Sequence, residues 1–376
     1  MTIAFLLSHI PDPRYNKRIQ ELSKRANVHV ICIRRTNMDI FPLKKIDGVH
    51  YHINDLSLPS AASLVGRSIA FIKYWKFAKE QLKIVNPNII YSNGIDMLYI
   101  ATKSCRNAKI CYEVADLREY ATRKSSVFST VGIADRLMRT IEKKLGNNIS
   151  LLVVTSRKFY DVYYPQFIQQ DKMIELPNMP VLSAFESYTP KKNGPFTIGF
   201  VGGLRYLKQM KMLVDATESL GINVIFSGAT DGDADGSFQQ YCRDKPWVKF
   251  TGRYDFSKEI SDIYSKLDCV YSVYDASNFN VRIALPNKLY EAVICHLPII
   301  VAKNTYLEEL VSSWGVGVGT SYDNIEELRN LLIKLKNKDE YYQSFVNNCV
   351  KHQDKIDVQR YLDHLSNRIS DLCCIN

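Results

Sequence analysis

Short apolar runs alternate with helical stretches, the series breaks at a segment rich in Pro, Ser and Lys, and then it starts again. This doubled pattern constrains the fold more than any other feature. In the first half, strands are expected at 2–8, 28–33, 88–92, 109–114 and 150–155, with helices at 14–26, 67–85 and 134–145. Runs such as VHVICI and ISLLVVT, bounded by polar or turn residues, carry the strand assignments. The stretch 177–195, PNMPVLSAFESYTPKKNGP, reads as a connector. Beyond it, strands at 196–201, 222–227, 247–251, 268–273 and 298–302 alternate with helices at 207–220, 256–266, 287–295 and 305–312, and 324–372 reads as helical throughout. Strands separated by helices form parallel sheets covered on both faces. The expected fold is α/β, with two doubly wound Rossmann-like domains facing a cleft. These are residues 1–185 and 190–350, followed by a helical tail whose last part, 351–376, crosses back to the first domain. A length of 376 residues suits two cores better than one.

Composition narrows the class. With 46% hydrophobic and 23% charged residues the chain is globular rather than disordered. No run approaches the ~18 apolar residues of a membrane span. Nine cysteines without metal-like CxxC pairing suit a reducing cytoplasm. The net charge of +10 is uneven: residues 1–190 carry 27 Lys and Arg against 16 Asp and Glu, and residues 191–376 carry 22 against 23. The basic half points to an anionic membrane surface or a phosphorylated substrate. It lacks any nucleic-acid module signature, so no nucleic-acid partner is expected. Helix 67–85, with Phe71, Tyr74, Trp75 and Phe77 among Lys73, Lys76, Lys79 and Lys83, is one candidate membrane face, and the cations Arg136, Arg139, Lys143 and Lys144 add to it.

Two segments of the second half carry chemistry. FTIGFVGGLRYLKQMKMLVDA is a buried strand, a double glycine, two cations and a helix. Gly202 and Gly203 permit close backbone approach, helix amides favour an anion, and Arg205 and Lys208 add positive charge for a diphosphate leaving group. It is neither a Walker loop nor a dinucleotide fingerprint, since GxxxxGK[ST] and GxGxxG are both absent. In ALPNKLYEAVICHLPIIVA, Pro286 and Asn287 open a helix with Asn287 as its cap. Amides at Asn287, Lys288 and Leu289 can hold phosphate, and Glu291 can accept two hydrogen bonds from a ribose diol. The alternative is that Glu291 is a solvated first-turn acid.

Together these segments resemble glycosyltransferase family 4, the group 1 glycosyltransferases, in the strand–glycine–Arg…Lys loop and the PxKxxE segment leading to GxPII, here PNKLYE and HLPIIVA. SHIPDPRYNKRIQELSKRANVHVICI, IEKKLGNNISLLVVTS and ELPN extend the resemblance over nearly the whole chain. It implies the GT-B architecture and a retaining, metal-independent transfer from a nucleotide-sugar, UDP-linked, to a glycan acceptor. That acceptor is expected to be lipid-diphosphate-linked, in bacterial surface polysaccharide synthesis. Carried to matching positions, Arg205 and Lys208 hold the donor diphosphate and Glu291 the ribose. Asp116, in YEVADLREY, faces the acceptor. His9 and Arg14, after the first strand, are further substrate contacts, and Arg253 and Tyr254 lie near the base. The enzyme implied is a hexosyl- or N-acetylhexosaminyltransferase, cytoplasmic or peripheral on the inner face of the cell membrane, with no cofactor and no metal.

Three departures stand out. Ile283 occupies the position eight before Glu291 where a second glutamate is usual, Gly203 stands where the arginine usually follows the glycine, and Ala115 replaces a histidine before Asp116. An epimerase on the same fold, or a non-catalytic nucleotide-binding partner, are the competing readings. TDGDADGS (230–237) imitates the start of an EF-hand, but Cys242 takes the place of the closing glutamate, and the stretch reads as a solvated loop. The seven histidines show no HExxH, and His50 and His52 are read as lying on opposite or outer faces of a strand pair.

Overall fold

A computed structural model describes residues 1–35, 42–56, 64–123, 129–230 and 232–374. The chain divides into two compact units, Met1–Pro177 with Gln359–Asn376, and Asn178–Val358.

The first unit runs β1 (Thr2–Leu7), α1 (Pro13–Ser23), β2 (Asn27–Arg35), β3 (His50–Leu56), α2 (Leu64–Val85), β4 (Ile89–Asn93), α3 (Gly94–Ser104), β5 (Lys109–Val114), α4 (Glu119–Thr122), α5 (Thr130–Gly146), β6 (Ile149–Val154), α6 (Arg157–Tyr163) and β7 (Met173–Glu175). Its seven strands are parallel, in the order β3-β2-β1-β4-β5-β6-β7. Five of the six residues of β1 are buried, as a strand covered on both faces requires. Asp12 starts α1 by accepting from the amides of Arg14 and Tyr15, with Pro13 in the first turn. On the inner side of that helix, Arg18 Nε donates to Glu113 Oε2 of β5 at 2.8 Å, both side chains buried, and Tyr91 of β4 donates to the same carboxylate.

The second unit runs β8 (Thr197–Val201), α7 (Leu207–Thr217), β9 (Asn223–Ser227), α8 (Ser237–Cys242), β10 (Val248–Gly252), α9 (Phe256–Tyr264), β11 (Cys269–Ser272), α10 (Phe279–Ile283), α11 (Lys288–Ile294), β12 (Ile299–Ala302), α12 (Tyr306–Trp314), β13 (Gly317–Thr320), α13 (Ile325–Lys336) and α14 (Glu340–His352). Six parallel strands follow the order β10-β9-β8-β11-β12-β13. In each sheet the strand order reverses once, between β1 and β4 and between β8 and β11, and ligands of such sheets bind at those switch points. The last helix, α15 (Val358–Cys374), packs from Gln359 onward with the first unit. There Gln359 Nε2 donates to Glu21 Oε2 at 2.8 Å and Arg25 Nη1 to Asn367 Oδ1 at 3.0 Å.

The passage between units falls at 177/178, earlier than the boundary near 185 read from composition. The supposed connector is seated on the second unit: Ser261 Oγ donates to Ala184 O, Tyr188 OH donates to Cys295 O, and the Phe185 ring packs on Tyr264. Its polar composition hides these anchors. The tail, read as helical throughout, is three α-helices with breaks between them. Lys338 at φ +52° ends one of them and Asp339 caps the next.

Candidate active site

After β8 the chain turns at Gly202, whose φ of +132° is a conformation that side chains rarely permit. Gly202 N donates to Ser227 O at 2.7 Å and Leu204 N to Ala229 O at 2.8 Å, which lays this loop on the one after β9. Gly228 completes the crossing: a Cβ there would stand 2.0 Å from Gly202 O. Its own amide donates to Gly252 O at the end of β10, at 2.8 Å. Three strand ends are thus layered backbone on backbone. Arg205 folds back over the loop, its Nε 3.8 Å from where a Cβ on Gly203 would lie. Arg205 and Lys208 are exposed, and neither has a carboxylate partner among the described residues. Helix α7 begins without a side-chain cap; the Gln209 amide donates to Tyr206 O at 3.1 Å, and the amides of Leu207 and Lys208 before it are the ones open to an anion.

The second segment meets the first through Lys288. Its Nζ is 3.0 Å from where a Cβ on Gly202 would lie, donates to Tyr274 OH at 2.9 Å and stands 4.4 Å from the centre of the Phe200 ring. Lys288 is only 8% exposed, and among the described residues no acid pairs with it. A buried ammonium without a counter-charge is costly, and an anion bound at the glycine loop would relieve that cost.

Glu291 is not a solvated acid. It is 4% exposed and accepts from Tyr264 OH at 2.5 Å. Burial first, and then the Glu291 charge, push Tyr254 above the ordinary phenol range. Arg253 lies beside Tyr254, exposed. Asn287 holds the cap position, but its backbone is already helical and its side chain caps nothing. Leu289 is core, and its amide donates to Pro286 O at 3.3 Å. Ile283 is buried at 7% exposure, closing its position to a polar role.

In the first unit, His9, Arg14 and Asp116 gather at the carboxyl ends of β1 and β5. Arg14 Nη2 donates to Asp12 Oδ2 at 3.1 Å, and His9 Nε2 stands 3.7 Å from the same oxygen. Although burial pushes the Asp12 carboxyl up, His9, Arg14 and the Tyr15 amide together hold it well below the usual range. Arg14 also approaches Glu113 at 3.7 Å and feels the charge of Asp116, which is exposed. Sequence reasoning missed Arg18 and Glu113. The signal was a glutamate inside an otherwise apolar strand and an arginine one helical turn after Arg14.

Other readings are corrected. Asp233 is buried and accepts from the amides of Phe238 and Gln239 at 2.8 and 3.0 Å, so it serves the start of α8, while Asp231 lies outside the described residues. His50 and His52 share one face. Both rings stack on His29, with centroids 4.7 and 5.3 Å away, as residues two apart on a strand must. Among the described residues no group of His, Cys, Asp and Glu is arranged to hold a metal. On α2 the aromatic face is not free. Tyr74 is core and donates to Leu7 O and Ile31 O, and Trp75 donates to Ser104 of α3.

The fold and this layered glycine loop define the class as GT-B. Residues 195–338 match the family model described as Glycosyl transferases group 1. Over 88% of its length the chain is 23% identical to the succinoglycan biosynthesis protein ExoL of Rhizobium meliloti (strain 1021), of which it covers 84%. Its fold is similar to that of sucrose-phosphate synthase from Thermosynechococcus elongatus, with a TM-score of 0.75, 14% identity and full coverage of both chains. It is also similar to Anabaena HepE in complex with UDP-glucose, with a TM-score of 0.68, 16% identity, and coverage of 99% of this chain and 100% of that one.

Proposed function

We propose that the chain is a retaining, metal-independent hexosyl- or N-acetylhexosaminyltransferase that moves a sugar from a UDP-sugar to a glycan acceptor in polysaccharide synthesis. The observation that carries this reading is the buried, acid-free Lys288 ammonium set against Gly202. A nucleoside diphosphate is the anion that suits it, with Arg205, Lys208 and the open α7 amides on the same loop. Buried Glu291 would take the ribose, as the family resemblance implies. The named bound ligand of HepE and the named pathway of ExoL support the choice of donor and acceptor classes.

In the proposed reaction the acceptor hydroxyl attacks the anomeric carbon on the face from which the diphosphate departs. The C–O bond to the diphosphate breaks as the new glycosidic bond forms, and the departing phosphate oxygen takes the hydroxyl proton. Lys288, Arg205 and the loop amides stabilise the charge that develops there, so positioning and electrostatics supply the acceleration. Asp116, His9 and Arg14 form the acceptor side. One observation favours a non-catalytic nucleotide-binding partner instead: apolar Ile283 leaves no carboxylate for the donor sugar.

We further propose a lipid-diphosphate acceptor and peripheral contact with the inner face of the cell membrane. No helix among the described residues is long and apolar enough to cross a bilayer. Helix α5, however, exposes Ile133 at 59% and Leu137 at 58% beside Arg136, Lys143 and Lys144, while its two acids, Asp135 and Glu142, are buried. An anionic lipid surface complements that face.

The reaction is tested by incubating the purified chain with UDP-sugars and a polyprenyl-diphosphate glycan extract in EDTA. The expected outcome is acceptor-dependent UDP release with retained anomeric configuration by NMR. Conversion of the donor sugar without acceptor means an epimerase. No turnover on any donor supports the non-catalytic partner, and activity lost in EDTA and restored by Mg²⁺ removes metal independence.

A further inference from the structure

A residue that neither motif contains joins the two. Tyr274 lies two positions past the end of β11, beside the switch point between β8 and β11. Its hydroxyl accepts from Lys288 Nζ at 2.9 Å. Its ring stands edge-on to Tyr206, with centroids 5.0 Å apart and planes at 65°, and edge-on to Phe200 at 6.1 Å. Tyr206 follows Arg205 directly and precedes α7. One side chain therefore touches both the cation of the second motif and the loop of the first.

A lysine ammonium is a point charge on a flexible stem, with three rotatable donors and no direction of its own. The Phe200 face attracts it without fixing those donors. A hydroxyl that accepts one N–H does fix them, and it leaves the other two without a protein acceptor among the described residues. Gly202 gives the ammonium its room: a Cβ there would stand 3.0 Å from Lys288 Nζ.

We propose that Tyr274 is a positioning residue of the donor site: its hydroxyl holds the Lys288 ammonium at Gly202 so that the remaining donors meet a nucleoside diphosphate. Its ring braces Tyr206, and with it the Arg205 loop. This inference rests on the diphosphate reading above.

The test is a double-mutant cycle on ligand binding by the full chain, using Tyr274→Phe, which keeps the ring and deletes the hydroxyl, and Lys288→Met. UDP affinity is measured by calorimetry and uridine affinity by NMR. Tyr274→Phe is expected to weaken UDP about tenfold, the scale of one hydrogen bond to a charged group. Uridine, which has no diphosphate, is expected to bind unchanged, and the double variant to bind UDP no more weakly than Lys288→Met alone. Three results overturn the assignment: unchanged UDP affinity in Tyr274→Phe, equal losses for uridine and UDP, or losses that add in the double variant. No UDP binding by the wild type overturns the diphosphate reading itself, and the positioning role falls with it.

Discussion

Arg205 is the residue whose chemistry follows most directly from its placement. It is exposed, has no acidic partner among the described residues, and lies over Gly203 where a leaving diphosphate would gather charge. Losing one preorganised electrostatic contact costs ~100-fold or more in turnover. Arg205→Ala is expected to lower kcat by about that factor with the true donor and acceptor. Near-normal turnover removes Arg205 from the mechanism. The two segments that hold Gly202, Lys288 and Glu291 were legible as a candidate nucleotide site because motif spacing marks them. Their partners were not: Tyr274 lies 14 residues before Lys288 and Tyr264 lies 27 before Glu291, and only the folded sheet brings them together. At Leu289 a local bond intervenes, since the amide read as open donates to Pro286 O.

At the scale of elements, the β–α alternation located most strands and helices, because a parallel strand covered on both faces must be continuously apolar. It passed over β3, β7 and β13: HYHINDL and GVGT carry no such run, and MIE is only three residues long. His50 and His52, read as lying on opposite or outer faces of a strand pair, share one face, since residues two apart on a strand project to the same side. Helix α5 shows a different limit. Apolar residues normally turn inward, yet here Asp135 and Glu142 are buried and Ile133 and Leu137 face out. Tyr112 and Tyr164 donate to Glu142 Oε1 at 3.2 and 3.1 Å, and Tyr120 to Oε2 at 2.8 Å, so the inward acid is held by hydroxyls that lie far off in sequence. If the outward face meets lipid, the wild type floats with anionic liposomes at physiological salt. Ile133→Glu with Leu137→Glu then abolishes flotation and leaves UDP affinity intact. Wild-type protein that stays at the bottom of the gradient ends the membrane reading.

Over the whole molecule, charge and chemistry are divided in the same way. The excess of positive charge lies in residues 1–190, and the motifs lie in the nearly neutral remainder. The first unit holds the His9, Arg14 and Asp116 group and the basic face of α5, and the second holds the glycine loop with Lys288. Each unit repeats one sheet order, so each offers one switch point. The central proposal is a diphosphate site on the second unit, and its direct measurement is calorimetric titration of UDP into the wild type and Lys288→Met, with melting temperatures recorded alongside. The expected result is binding by the wild type and a loss of at least about tenfold in the variant, which melts no lower because an unpaired buried charge has been removed. Equal UDP affinity in the two folded proteins would contradict the assignment of Lys288 and Gly202 to a diphosphate.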